Sequence, residues 1–283
     1  MDTESHPSAL DRRRSIERSI ITEYRKSLWR PFTKALGDYE LVADGDRIAV
    51  CISGGKDSML LAKLFQELRL HGRRNFELEF LTLDPGYPDE ALRSIERNAE
   101  LLGIPLQWHR LGIFGAVQRM GGNPCYPCAR MRRGALYSAA RDLGCNKIAL
   151  GHHFDDVIET NLMSILYAGQ VKTMMPKLHS TNFEGMELIR PLYLVREADI
   201  VAWRDAHGLS FIHCACPLSA TGTCDAGEGS KRDETKRLIR ELAAKDPFVE
   251  KNIFKSMDNV HLDAVRGYRS AGTAHSFLET YDM

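Results

Sequence analysis

The run Ser53-Gly54-Gly55-Lys56-Asp57-Ser58 follows directly on the apolar stretch Ile48-Ala49-Val50-Cys51-Ile52. An apolar strand that ends in a glycine pair and restarts as a helix is one half of a βα unit, and such units build parallel sheets covered by helices. The loop itself is shaped for an anion. Two glycines let the backbone approach closely, the lysine brings a point charge, and the helix that follows offers unpaired N–H groups at its positive end. The spacing is not that of the Walker loop, because the glycines are adjacent and an aspartate separates the lysine from the serine.

Strand and helix signals alternate on both sides of this loop. The spacing predicts strands at Arg47–Ser53, Phe76–Asp84, Ile104–His109, Asn146–Gly151 and Leu188–Pro191. Helices are predicted at Ser15–Leu36, Lys56–Leu70, Asp89–Leu102, Ala129–Leu143, Asp155–Tyr167 and Arg196–His207. The fold class this implies is α/β, a parallel doubly wound Rossmann-like sheet with ligands at the carboxyl ends of its strands. Helices at Lys231–Lys245 and Pro247–Met257 form a C-terminal extension. Four regions are expected: an N-terminal helical segment at 1–40, a nucleotide-binding domain at 41–215, a cysteine loop with C-terminal helices at 216–257, and a weakly structured tail at 258–283.

The chain has 283 residues, is 43% hydrophobic and 27% charged, and carries no formal net charge. It therefore lacks a global pull toward nucleic acid, and an RNA partner has to be met by a local patch. Arg12-Arg13-Arg14, Arg69 to Arg74, Arg130-Met131-Arg132-Arg133 and Lys231-Arg232 through Arg240 are candidate patches, although each alone reads more readily as a solvated helix face than as an RNA contact. No run of about 20 apolar residues is present, and the expected setting is cytoplasmic, without a membrane partner. In that compartment seven cysteines read as metal ligands or buried thiols rather than disulfides. Cys125-Tyr126-Pro127-Cys128 stands before a helix that opens with arginines, surroundings that favour thiolates. Cys214, Cys216 and Cys224 follow downstream. Cys51 and Cys145 read as buried structural thiols.

A second polar constellation, Gly151-His152-His153-Phe154-Asp155-Asp156, follows the apolar strand ending at Leu150. Carboxylates beside a triphosphate hold magnesium, so Asp57 and Asp156 are the candidate cation and nucleotide ligands. Asp155 reads equally as a helix N-cap. Two adjacent histidines on a strand do not both face one ion, so a nucleotide or structural role suits His152 and His153 better than zinc.

The hexapeptide resembles the signature of the PP-loop ATP pyrophosphatases. With it come Cys125-x-x-Cys128 and Arg132-Arg133-Gly134, the Gly151–Asp156 turn with Glu159-Thr160, Met175-Pro176-Lys177, and Arg190-Pro191-Leu192 with Arg196-Glu197. On these residues the stretch from about Val42 to Phe254 resembles the tRNA 2-thiocytidine synthetase family. The resemblance implies an ATP- and iron–sulfur-dependent tRNA sulfurtransferase that adenylates the C2 oxygen of an anticodon-loop cytidine and replaces it with sulfur. It implies a 4Fe-4S cluster on Cys125, Cys128 and Cys216, with Cys214 open as the alternative third ligand. ATP would be held by Ser53, Gly54, Gly55, Lys56, Asp57, Ser58, Asp84, Gly151 and His152. Lys56, Asp57 and Asp156 would act in catalysis with Mg2+, and Arg130, Arg132 and Arg133 would meet RNA. Implied partners are tRNA and a sulfur donor such as a cysteine desulfurase, and a homodimer is compatible. Other readings stay open from the residues: thiolation of another tRNA base, adenylation with an amine as nucleophile, an iron–sulfur redox sensor with a passive nucleotide site, or a zinc-stabilised RNA-binding module.

Overall fold

The computed structural model describes residues 8–72, 74–118, 125–212 and 230–281, with the backbone alone for Gln118 and Cys125. Its centre is a six-stranded sheet built from β1 (Arg47–Ile52), β2 (Glu77–Asp84), β3 (Leu106–Arg110), β4 (Lys147–Ala149), β5 (Lys177–His179) and β6 (Glu187–Ile189). The spatial order is β3-β2-β1-β4-β6-β5. All neighbouring pairs are parallel except β5 with β6. The strand order reverses direction at β1, which lies between β2 and β4, with Val50 opposite Phe80 on one side and Ala149 on the other. A ligand crevice is expected at the carboxyl ends of β1 and β4 for that reason.

Alternation along β1 divides the core. Ile48, Val50 and Ile52 face one cluster, which α3 (Lys56–His71) and α4 (Asp89–Leu102) complete with Met59, Leu60, Phe65 and Ile95. Ala49 and Cys51 face the other, where α6 (Cys125–Asp142) supplies Tyr137, Ala139 and Ala140. A period of two with both faces apolar is the mark of a central strand covered on both sides. The first cluster also takes in Ile16 and Ile20 from α1 (Ala9–Ile21), Phe32 from α2 (Arg30–Asp38), and Trp203 from α8 (Glu197–Ala206). The short α5 (Ile113–Gln118) packs against the start of α6, with its Phe114 and Val117 in one cluster with Cys128. The remaining helices are α7 (Phe154–Ala168), α9 (Lys231–Ala243) and α10 (Val249–Lys255). No helix among the described residues is long and apolar enough to cross a membrane.

The predicted elements are present, with four differences. The single N-terminal helix is broken by a π-helical turn at Arg25–Trp29, which α2 follows with Pro31 in its first turn, a residue that has no N–H to bond back to the turn before it. The helix expected from Ala129 begins at Cys125, so the Cys-x-x-Cys pair belongs to its first turn rather than to a loop before it, and Pro127 is tolerated there. The antiparallel edge strand β5 and helix α5 have too few residues to show a period. The stretch 258–281, expected to be weakly structured, contains a hairpin of β7 (Gly267–Ser270) and β8 (Thr273–Ser276). Its residues are almost all exposed, so no buried face left an apolar alternation in the sequence.

Candidate active site

The loop between β1 and α3 is held in shape by its own serines. Ser58 Oγ accepts from Ser53 N at 3.1 Å and donates to Gly55 O at 2.9 Å. Gly54 has a φ of +84°, and a Cβ there would meet Ile95 Cγ1 at 2.5 Å, so glycine is needed for both conformation and space. No side chain caps α3 at Gly55, which leaves first-turn N–H groups available to an anion.

The turn after β4 packs directly against this loop. A Cβ on Gly151 would stand 3.1 Å from Ser58 N and 3.2 Å from Asp57 C, so the absence of a side chain at 151 lets the two turns meet. His153 then caps α7: its backbone N–H donates to Asp156 Oδ2 at 3.0 Å, and Asp156 N donates to its Nδ1 at 3.4 Å. Asp155 is therefore not the cap. It accepts from Arg196 Nη2 at 3.0 Å and from Glu197 N at 2.7 Å, which anchors the start of α8 instead.

These turns enclose a cavity of about 360 Å3 lined by Ser53, Asp57, Ser58, Gly151, His152 and Asp156, with Cys51, Leu83 and Arg132 among the remaining walls. Six residues expected at the nucleotide site, from two distant parts of the sequence, thus line a single opening. Asp57 Oδ1 is buried and stands 3.1 Å from Lys56 Nζ, so the carboxylate is paired with the loop's own cation, and a hard cation there would share it with the lysine. Lys56 Nζ reaches Asp57 Oδ2 and Glu197 Oε1, each at 3.1 Å. Burial opposes the charge on Lys56, but the two carboxylates outweigh it and raise its pKa above the ordinary lysine value. His152 is pushed down to about 4, mainly by burial and further by Arg190 and Arg232 against the opposing pull of Asp156. It is therefore neutral at neutral pH.

Asp84, expected at the nucleotide site, ends β2. Its Oδ1 accepts the N–H groups of Gly86 and Tyr87, both at 2.8 Å, and Leu83 rather than Asp84 is among the walls of the cavity. The carboxylate fixes the turn after β2, an Asx turn that follows from its place ahead of Pro85-Gly86. The arginines of α6 are also divided. Arg132 lines the 360 Å3 cavity and donates to Tyr87 OH at 3.1 Å, whereas Arg130 and Arg133 border a second, larger opening. Cys125 and Cys128 stand one helical turn apart at the start of α6, with Cys128 buried beside Leu83, Ile113 and Phe114. Cys214, Cys216 and Cys224 lie outside the described residues. Among the described residues no group of three histidine, cysteine or acidic side chains converges as a metal site.

Sequence reasoning missed the contribution of α8 and α9. Arg232 Nη1 donates to Asp156 Oδ1 and to Glu159 Oε2, each at 2.9 Å. Lys236 pairs with Glu197, whose carboxyl is held at about 2 because Lys236 and Lys56 overcome the effect of burial. The basic run beginning at Lys231 thus spends two of its cations on the carboxylates around the phosphate loop. The only signals were that run itself and the Arg196-Glu197 pair.

A PP-loop domain model matches residues 25–216 of the chain. In fold, the chain is similar to the U34-tRNA thiolase NcsA from Methanococcus maripaludis, solved with its [4Fe-4S] cluster. The TM-score is 0.66 at 20% identity, covering 94% of this chain and 84% of that one. Sequence similarity is higher to proteins of another name. The tRNA-cytidine(32) 2-sulfurtransferase of Anaeromyxobacter dehalogenans is 37% identical over 85% of this chain and 81% of that protein. That of Syntrophotalea carbinolica is 38% identical over 80% and 86%, and that of Coxiella burnetii 37% over 83% and 90%. Matches of this extent span the phosphate loop, the Cys-x-x-Cys helix and the His-Asp turn together, and on them the chain belongs to the tRNA-cytidine(32) 2-sulfurtransferase family of PP-loop proteins.

Proposed function

We propose that the protein is an ATP-dependent tRNA sulfurtransferase that activates the C2 oxygen of a cytidine at position 32 as its adenylate and replaces that oxygen with sulfur, releasing AMP and pyrophosphate. The observation that carries this reading is the single cavity walled by the phosphate loop, the Gly151–Asp156 turn and Arg132 of the Cys-x-x-Cys helix. An activated cytidine is useful only where a sulfur nucleophile is at hand, and α6 joins the two requirements.

In this reading the β and γ phosphates of ATP lie against Gly54, Gly55 and the N-terminus of α3, where Lys56 stabilises the departing pyrophosphate. Asp57 and Asp156 would hold Mg2+, whose charge offsets that of the leaving group. Cys125, Cys128 and Cys216 would hold a 4Fe-4S cluster, and when bound it supplies the sulfide that displaces AMP. Arg130, Arg132 and Arg133 pair with RNA phosphates, which gives a neutral chain a local, salt-sensitive RNA surface. We assign residues 41–215 to the PP-loop domain, 1–40 to a helical segment that completes its core, and 216–257 to the third-cysteine loop with its helices. A cysteine desulfurase is the natural class of sulfur donor, and a homodimer is compatible with the reaction.

The test is reconstitution. Anaerobically prepared protein with ATP, magnesium, tRNA and sulfide yields AMP, pyrophosphate and 2-thiocytidine, and Lys56→Ala loses roughly 3–4 kcal/mol of transition-state stabilisation while keeping its iron. Cluster-free protein that thiolates equally well, or incorporation of an amine in place of sulfur, overturns the reading.

A further inference from the structure

A second cavity of about 1030 Å3 is bounded by α6, the end of β4 and the stretch 172–190. Its volume is at or beyond the ~300–1,000 Å3 of ordinary small-molecule clefts. The described lining carries the cations Arg130, Arg133, Lys172 and Arg190 and no aspartate or glutamate, in a chain whose charges otherwise balance. Aromatic rings share the same walls. Tyr137 and Phe183 are stacked at 5.1 Å with an interplanar angle of 12°, and Tyr126 is 75% exposed.

Leu150 and His152 line both this cavity and the smaller one at the phosphate loop. His152 Nδ1 is buried without a hydrogen-bond partner. The junction therefore holds a polar atom in need of a ligand, between an opening that suits phosphates and one that suits a polyanion with flat faces. The sheet order separates the two jobs: the large cavity lies on the β4 and β6 side of β1, through Leu150, Leu188 and Arg190.

We propose that the large cavity receives the target cytidine, extruded from the RNA loop together with its flanking phosphates, and that His152 contacts the base where the two cavities join. This rests on the sulfurtransferase reading above. Chemistry at a base C2 atom requires the nucleotide to leave the stack, and single-stranded bases are held by aromatic faces and cations rather than by groove readout. A base seated here presents its C2 oxygen toward the cavity lined by Ser53 and Asp57, where the α-phosphate of ATP lies.

The experiment uses the holoprotein and an anticodon stem-loop RNA with 5-iodocytidine at the target position. Irradiation and peptide mapping place the cross-link within 126–137 or 172–183. Cross-links confined to other segments overturn the proposal. In parallel, Lys172→Glu weakens stem-loop binding about tenfold or more and lowers the salt slope by about 1, with ATP affinity unchanged. Wild-type affinity for the stem-loop in that variant also overturns it. Cytidine thiolation by the wild type with cross-links elsewhere removes the cavity assignment and leaves the reaction standing, whereas cross-links in the cavity without thiolation support the RNA site and remove the reaction.

Discussion

Lys56 Nζ stands 3.1 Å from Glu197 Oε1, so the cation of the phosphate loop is held by a carboxylate 141 positions further along the chain. Glu197 is shared in turn with Lys236 of α9. In the proposed reaction an incoming triphosphate would compete with Glu197 for Lys56, and Lys236 would remain to satisfy the carboxylate that is displaced. The loop cation is thus positioned before nucleotide arrives.

This arrangement makes part of the stability acid-sensitive. Glu197 is held at about 2 against a usual value of 4.5, and a carboxyl depressed in the fold stabilises above its unfolded value and loses that contribution as pH falls. Glu197→Gln is expected to lower stability by on the order of 3 kcal/mol at pH 7. The gap from wild type should close as pH drops from about 4.5 toward 2. Urea unfolding of both proteins across that range checks it, and a pH-independent gap rejects it.

Gly54→Ala should cost roughly 2–3 kcal/mol, because alanine is strained at φ +84° and its Cβ would meet Ile95 at 2.5 Å. Nucleotide binding should weaken with it. Calorimetric titration with ATP and thermal unfolding of the variant give the two numbers.

Arg232→Ala leaves Asp156 Oδ1 and the buried Glu159 without their shared donor. The expected loss is roughly 1.5–3 kcal/mol at pH 7. Burial already raises the pKa of Glu159 and Arg232 opposes that rise, so the variant's carboxyl protonates at a higher pH. A raised carboxyl favours the fold at low pH, and the penalty should shrink as pH falls below neutrality toward 4. Denaturant titrations at pH 7 and pH 5 distinguish this from a pH-independent loss of packing.

Cys51 is pushed up to about 12, mainly by burial, and Cys145 to about 11 for the same reason. Both stay protonated at pH 8, although Cys51 borders the nucleotide cavity. Neither should be alkylated by iodoacetamide in the native protein, and both should react after unfolding. Replacing either with alanine should leave bound iron unchanged, whereas Cys128→Ala should remove it, as read by iron content after anaerobic preparation.

Local chemistry determined much of this protein by itself. Ile48 to Ile52 alternate between two apolar faces, Gly54-Gly55 permit the turn with a positive φ that leads into α3, and the Gly151–Asp156 run ends β4 in a turn; each depends on residues adjacent in sequence, and each was legible there. The placement of Cys125 and Cys128 inside α6 was nearly so, and failed only because a proline in a first turn resembles a loop. What the tertiary structure alone decided are the pairings between elements: Lys56 with Glu197, Arg232 with Asp156 and Glu159, Asp155 with Arg196, and the division of Arg130 and Arg133 from Arg132. A charged residue on a helix surface has the same local pattern whether it faces water or a carboxylate on another helix. Which of these it meets is fixed by how the helices pack on the sheet, and that packing is set by the apolar faces rather than by the charges themselves.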